Sequence, residues 1–209
     1  MAQRAFFERQ EFEWSEGVEA ATGAIQAELA ALVRDGQAFA PYVRSIPDQP
    51  APANHLLDNP DWGAVHLFEG GLPHPVHATR CPATMAALSL APQPAIGTRS
   101  PMALFSRLKP GTHIRPHHGV FNTRLICHLP LVVPPGCGIR VGADTREWRV
   151  GELTIFDDSF EHEAWNRGDS DRVVLLFEIW RPDIAAEERA ALTALLGAVE
   201  KHGIAADAA

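Results

Sequence analysis

The stretch 115-RPHHGVFNTRLICHLPL-131 sets β-forming apolar residues beside His117, His118, Asn122, Arg124 and His128. A strand alternates faces, so Leu125, Cys127 and Leu129 share one side while Arg124, Ile126 and His128 share the other. The first side reads as core. The second points a guanidinium and an imidazole at whatever the fold encloses. Either this is a hydrated surface strand, or it is the wall of a site that handles a metal and an anion.

The same texture runs on both sides of it. From Pro101 the segments "MALFSRLK", "TRLICHLPLVV", "GIRVG", "EWRV", "ELTIF", "HEAWN" and "RVVLLFEIW" are separated by "KPGT", "PPGCG", "GADT", "VG" and "NRGDSD". Short strands at this spacing, with such turn residues between them, predict an all-β barrel or sandwich. Val18 to Arg34 predicts an amphipathic helix stopped by "DG", and "AAEERAALTALLGAVEKHG" after "RPDI" predicts a C-terminal helix. Between Ala38 and Gln93 the chain is rich in Pro, Asn and Gly, with one short strand expected at "AVHLF" and the rest expected to wrap the core. The organisation expected is one domain over 1–209: a helical and irregular wrap over 1–100, a β-barrel core over 101–182 and a helix over 183–203.

Composition narrows the function classes. Hydrophobic residues at 46% and charged ones at 21% suit a soluble globular chain. A formal charge of −8 argues against nucleic-acid or anionic-membrane binding. No apolar run approaches the ~20 residues that span a bilayer. The start "MAQRAFFERQEFEW" has no apolar h-region, so no secretory leader is expected and cytoplasmic residence is. Cys81, Cys127 and Cys137 are too scattered for a disulfide framework or a zinc ribbon, and read as buried small hydrophobes. From Gly70 to Ala143 there is no Asp or Glu, while Arg80, Arg99, Arg107, Lys109, Arg115, Arg124 and Arg140 all lie there. That asymmetry is either chance with solvation or a cavity wall that attracts a carboxylate.

Neutral imidazole is the commonest ligand for first-row metals, and non-haem iron oxygenases present two His and one carboxylate, often two residues after the first His. Here that place holds Gly119, which offers no side-chain ligand. His118 could replace His117, His113 stands close by, and a zinc site could draw on Asp157 or Asp158. Each also has a plain explanation: Asp157 as a turn residue, Arg172 as a solvated ion pair opening a strand, Trp62 and Trp165 as core aromatics.

The runs 110-PGTHIRPHHGVFNTRLICHLPLVVPPGCGIRVG-142 and 156-FDDSFEHEAWNRGDSDRVVLLFEIWRPDI-184, with His117 and His162 45 residues apart, resemble the catalytic domain of the aspartyl/asparaginyl β-hydroxylase family. The likeness covers about Phe105 to Ile184 and extends weakly to "DNPDWGAVHLF". It implies a double-stranded β-helix, a jelly-roll or cupin-like barrel with flanking helices. It implies a dioxygenase using Fe(II), 2-oxoglutarate and O2, with His117 and His162 as metal ligands and Gly119 in the place of the acid. Asp158 then matches an aspartate that holds a water on the metal. Arg172 and Ser106 match the groups that take the distal carboxylate of 2-oxoglutarate, His128 one near its metal-proximal end, and Arg124 one lining the substrate space. Asn122 fits the pattern with a structural role. The sequence departs from the pattern at Ile126, where a second Arg is expected. The substrate implied is a small molecule or peptide bearing a carboxylate, hydroxylated at an aspartyl- or asparaginyl-like β-carbon or a related acyl position. Two alternatives stand beside this: a halogenase using the space at Gly119, and a metal-binding or ligand-sensing barrel without turnover.

Overall fold

The computed structural model describes residues 3–47, 50 and 53–202. Its strands are β1 (Phe6–Phe7), β2 (Ala40–Pro41), β3 (Trp62–His66), β4 (Phe68–Glu69), β5 (Leu72–Pro73), β6 (Ala103–Leu108), β7 (His113–His117), β8 (Arg124–Val132), β9 (Cys137–Val141), β10 (Asp144–Arg146), β11 (Thr154–Phe156), β12 (His162–Asn166) and β13 (Arg172–Trp180). The helices are α1 (Ser15–Ala20), α2 (Thr22–Arg34), α3 (His77–Arg80), α4 (Pro82–Leu88) and α5 (Ala186–Lys201).

Two antiparallel sheets face each other. The larger has seven strands in the order β1-β11-β8-β13-β6-β3-β2, the smaller four in the order β10-β9-β12-β7. Neighbours far apart in sequence, such as β8 with both β11 and β13, give the jelly-roll, cupin-like wind of a double-stranded β-helix with flanking helices. The strand alternation of the large sheet sorts its residues into two cores. Leu125, Cys127 and Leu129 of β8, with Val173, Leu175 and Phe177 of β13, pack outward against Ile25, Leu29 and Leu32 of α2 and Leu88 of α4. Leu104, Leu108, Ile126, Val174 and Leu176 face inward and meet Ile114, Ile139, Val141 and Ala164 of the small sheet. All three cysteines are buried and unpaired.

The structure departs from sequence expectation in four places. The first helix begins at Ser15 and divides at Ala21, where the Ala21 amide bonds Val18 O and the Thr22 hydroxyl bonds Glu19 O. The residues expected to wrap the core supply both edges of the large sheet, β1 on one side and β3 with β2 on the other. The "EWRV" segment is not a strand: the hairpin partner of β9 is β10, and Trp148 turns inward instead. Finally, 113-HIRPH-117 forms β7, the edge strand of the small sheet. An edge tolerates Pro116, which has no amide to donate. The last helix, expected over 183–203, begins at Ala186 and ends at Lys201; residue 203 lies outside the described residues.

Candidate active site

A cavity of about 750 Å3 lies between the sheets, and His117, His162, Asp158, Ser106, His128, Arg172 and Arg124 all line it. Two of these form its metal-competent corner. His117 ends β7 and His162 opens β12, and the two residues are direct cross-strand partners. Their ring centroids are 4.1 Å apart. Each Nδ1 lies against the carbonyl two residues back, Arg115 O at 2.8 Å and Phe160 O at 3.0 Å. A carbonyl only accepts, so each Nδ1 carries the hydrogen and each Nε2 keeps its lone pair, the arrangement that orients ligand imidazoles. Burial lowers both pKa values, that of His162 to about 4, with the neighbouring His117 adding to the effect. Both rings are therefore neutral at physiological pH, ready to bind a metal. Among the described residues no cluster of three or more His, Cys, Asp or Glu could hold a metal ion. The donor set fits an ion held by two protein nitrogens and completed by other ligands. His113 is not part of it, since its Nε2 meets Glu163 at 2.6 Å.

The anion-competent corner is built on β13, β6 and β8. Arg172 is 1% exposed, its guanidinium lies 4.5 Å over the Trp148 ring, and its Nε and Nη1 have no hydrogen-bond partner. Burial lowers its pKa to about 10, which still leaves it cationic at neutral pH. Beside it, His128 is driven well below the usual histidine range, by burial first and by Arg172 second, and its Nδ1 is also unpartnered. Ser106 Oγ accepts from Trp62 Nε1 at 3.3 Å, which leaves its own hydroxyl hydrogen free to donate. Buried polar groups are almost always bonded, and a buried cation without a counter-charge is costly. These orphaned donors fit a carboxylate entering the cavity.

Arg124 is arranged differently. Its Nη1 donates to Glu178, a carboxylate with 0% exposure, and its Nη2 donates to Asp158 at 3.3 Å. Asp158 is itself raised to about 6 by burial, against the opposing pull of Arg124. Its carboxylate occupies the space beside Gly119: a Cβ there would lie 2.1 Å from Asp158 Oδ2. Glycine at 119 is thus what leaves room for the Asp158 carboxylate in the cavity that the histidine pair also lines. Asp157 is the turn residue it was expected to be. It accepts from the Ser159 amide and hydroxyl and from the buried Arg181, which fixes the turn that presents Asp158.

The acid-free stretch does not form a cationic wall. Arg80 pairs with Asp35, Arg107 with Asp171, Lys109 with Asp61, Arg140 with Glu161 and Glu163, and Arg124 with Glu178 and Asp158. Five of its seven cations are thus paired with acids from elsewhere in the chain. The cation left for a ligand, Arg172, lies outside the stretch. Trp62 is in the core, as expected, and from there also lines the cavity and stacks on Tyr42 at 4.1 Å. Sequence reasoning missed Trp148 and Glu178. Glu178 did leave a signal: it is the sole acid in the apolar run "RVVLLFEIW", on the same strand face as Arg172.

Residues 19–182 match the family described as aspartyl/asparaginyl beta-hydroxylase. The mouse protein named aspartyl/asparaginyl beta-hydroxylase is 37% identical over 142 residues, which are 68% of this chain and 19% of that protein. Human aspartate beta-hydroxylase domain-containing protein 2 is 38% identical over 136 residues, covering 63% of this chain and 37% of its own. Among solved structures, the plu4264 protein of Photorhabdus luminescens aligns over 74% of this chain and 97% of its own at 15% identity, with a TM-score of 0.38. The fold assignment rests on the strand topology above. On the match over most of its length, this chain belongs to the aspartyl/asparaginyl β-hydroxylase family, whose curated members are named hydroxylases.

Proposed function

We propose that this protein is a cytoplasmic Fe(II)- and 2-oxoglutarate-dependent dioxygenase that hydroxylates an amino-acid β-carbon or a related acyl position. One observation carries the proposal: a tautomer-fixed histidine pair and an uncompensated buried arginine line the same cavity. Iron, 2-oxoglutarate and O2 together supply the oxidising power to break an unactivated C–H bond, chemistry that belongs to the cofactors. The protein's share is placement. His117 and His162 hold the metal through Nε2. Arg172 neutralises the carboxylate of 2-oxoglutarate far from the metal, and the Ser106 hydroxyl donates a second bond to it. His128, kept neutral, donates to the nearer carboxylate without adding charge. Asp158 is the acceptor on the side where Gly119 provides no ligand, and Arg124 holds Asp158 in place. The apolar walls contributed by Ile126, Phe156 and Leu176 exclude water.

The test is succinate formation from 2-oxoglutarate by the purified protein with Fe(II), ascorbate and O2, run beside His162→Ala. Turnover in the wild type that disappears in the variant supports the dioxygenase. Tight binding of iron and 2-oxoglutarate without succinate, whatever substrate is offered, replaces it with the binding barrel.

A further inference from the structure

From the charges around Arg124 and the lining of the cavity mouth, we infer that the substrate presents an uncharged aliphatic segment, not a carboxylate, to the histidine pair. This rests on the proposed function, since it concerns the half of the cavity that 2-oxoglutarate leaves to the substrate.

Two cations line the cavity inside its rim, Arg172 and Arg124, and they are not equally available. Arg172 has no carboxylate near it. Arg124 is shared between Glu178 and Asp158, both buried. One guanidinium between two carboxylates leaves that end with no positive charge to offer. For Arg124 to turn to a substrate carboxylate, it would have to abandon Glu178, stranding a fully buried anion, which is among the costlier events in a protein interior. An incoming carboxylate would also approach Glu178 and Asp158, both negative when ionised. The remaining cation, Arg44, sits at the rim, half exposed and 3.9 Å from Glu69, away from the buried metal corner.

The walls of this half agree with its charge. Ile126 projects into the cavity between Arg124 and His128. Val43 and Met102 continue the apolar lining, and Ile46 and Val120 stand at the mouth 55% and 45% exposed. Continuous with the apolar lining inside, exposed apolar side chains at a cavity mouth suit a ligand with an apolar segment. An aliphatic chain entering past Ile46 and Val120 would bury this surface and require no counter-charge. The aliphatic side chain of an amino-acid amide and a medium-length acyl chain share this chemistry.

The experiment compares three probes: N-acetyl-L-leucinamide, its near-isosteric carboxylate N-acetyl-L-aspartic acid α-amide, and decanamide. Affinity is read from tryptophan fluorescence, since Trp62 lines the cavity, using the metal-free protein; coupled hydroxylation is read by mass with Fe(II) and 2-oxoglutarate. The better neutral probe is expected to bind about tenfold or more tighter than the aspartyl probe, because burying a carboxylate without a partner is costly, and to be the one hydroxylated. Whether leucinamide or decanamide leads distinguishes side chain from acyl chain. Ile126→Arg is expected to reverse the preference. Because a buried arginine can impair folding, Glu178→Gln is the second variant: it removes one of Arg124's two counter-charges and is expected to raise affinity for the aspartyl probe. Equal or tighter binding of the aspartyl probe by the wild type overturns the inference, as does its preferential hydroxylation. If basal succinate forms in that case, the proposed function survives and the substrate class alone has failed. If neither succinate formation nor 2-oxoglutarate binding occurs, both fall together.

Discussion

Arg172 and Arg124 face the same cavity from adjacent strands, and the groups around them give them opposite meanings. Arg172 is covered by Trp148 and lies near His128, with no carboxylate and two N–H groups unpartnered. Arg124 is held between Glu178 and Asp158. The first is a buried charge whose partner must come from outside. The second already has its partners within the fold. A buried arginine therefore marks a receptor only when its environment leaves it uncompensated, and the difference is one of compensating charge rather than residue type.

The largest effect concerns neither arginine but the pair they flank. His162→Ala removes one of two protein nitrogens and is expected to reduce both metal binding and succinate formation to background, measured by calorimetric metal titration and product assay. Next comes the contrast itself. Arg124→Met strands Glu178 and is expected to destabilise the fold by about 3 kcal/mol, the lower end of the range for breaking a buried pair, since Arg124 is partly exposed. Arg172→Met removes a desolvated cation and is expected to leave thermal stability unchanged or raised. Yet it should weaken 2-oxoglutarate binding roughly ten- to a hundredfold, the loss of charge-assisted bonds worth about 1.5–3 kcal/mol. Equal destabilisation by the two variants in thermal melts would erase the distinction.

How far the sequence foretold this depends on which interactions are local. The alternation Arg124–Ile126–His128 against Leu125–Cys127–Leu129 was legible because it has the period of a strand, and it correctly assigned the two faces of β8. The seven residues expected at the site do line one cavity, though composition and spacing alone reached only a barrel with a possible metal and anion site; their assignment came from a resemblance. What escaped was non-local. β7 has a His-Ile-Arg-Pro-His sequence with little β preference, and it is a strand because β12 pairs with it. The acid-free stretch looked cationic because its counter-charges lie elsewhere in the chain, such as Glu178, 54 residues beyond Arg124. Trp148 sat in a segment read as a strand, while it in fact turns into the core and covers the Arg172 cation.

A smaller perturbation tests the Arg124 end without touching a charge. In Gly119→Ala the new methyl would lie 2.1 Å from Asp158 Oδ2, so the carboxylate must move and its bond to Arg124 must loosen. Turnover is expected to fall by about tenfold, as when a group that orients metal ligands is disturbed. 2-Oxoglutarate affinity should stay unchanged, since the Arg172 corner is untouched. A loss of affinity instead would show that the two ends are mechanically coupled.

The smallest expected effect belongs to Ser106, which tests the Arg172 end in the same charge-neutral way. Its hydroxyl accepts from Trp62 Nε1 at 3.3 Å and has its hydrogen left for a ligand. Ser106→Ala deletes that donor while the Arg172 guanidinium remains. The expected outcome is a two- to tenfold rise in KM for 2-oxoglutarate at nearly constant kcat, the effect of about 0.5–1.5 kcal/mol for a single bond. The orphaned Trp62 indole adds a control, because its ring also lies 6.4 Å from that of His117. If kcat fell as much as affinity, Ser106 would be acting through the position of Trp62 rather than on the carboxylate. With kcat unchanged, the anion corner is an arginine assisted by a hydroxyl, independent of the corner where the chemistry occurs.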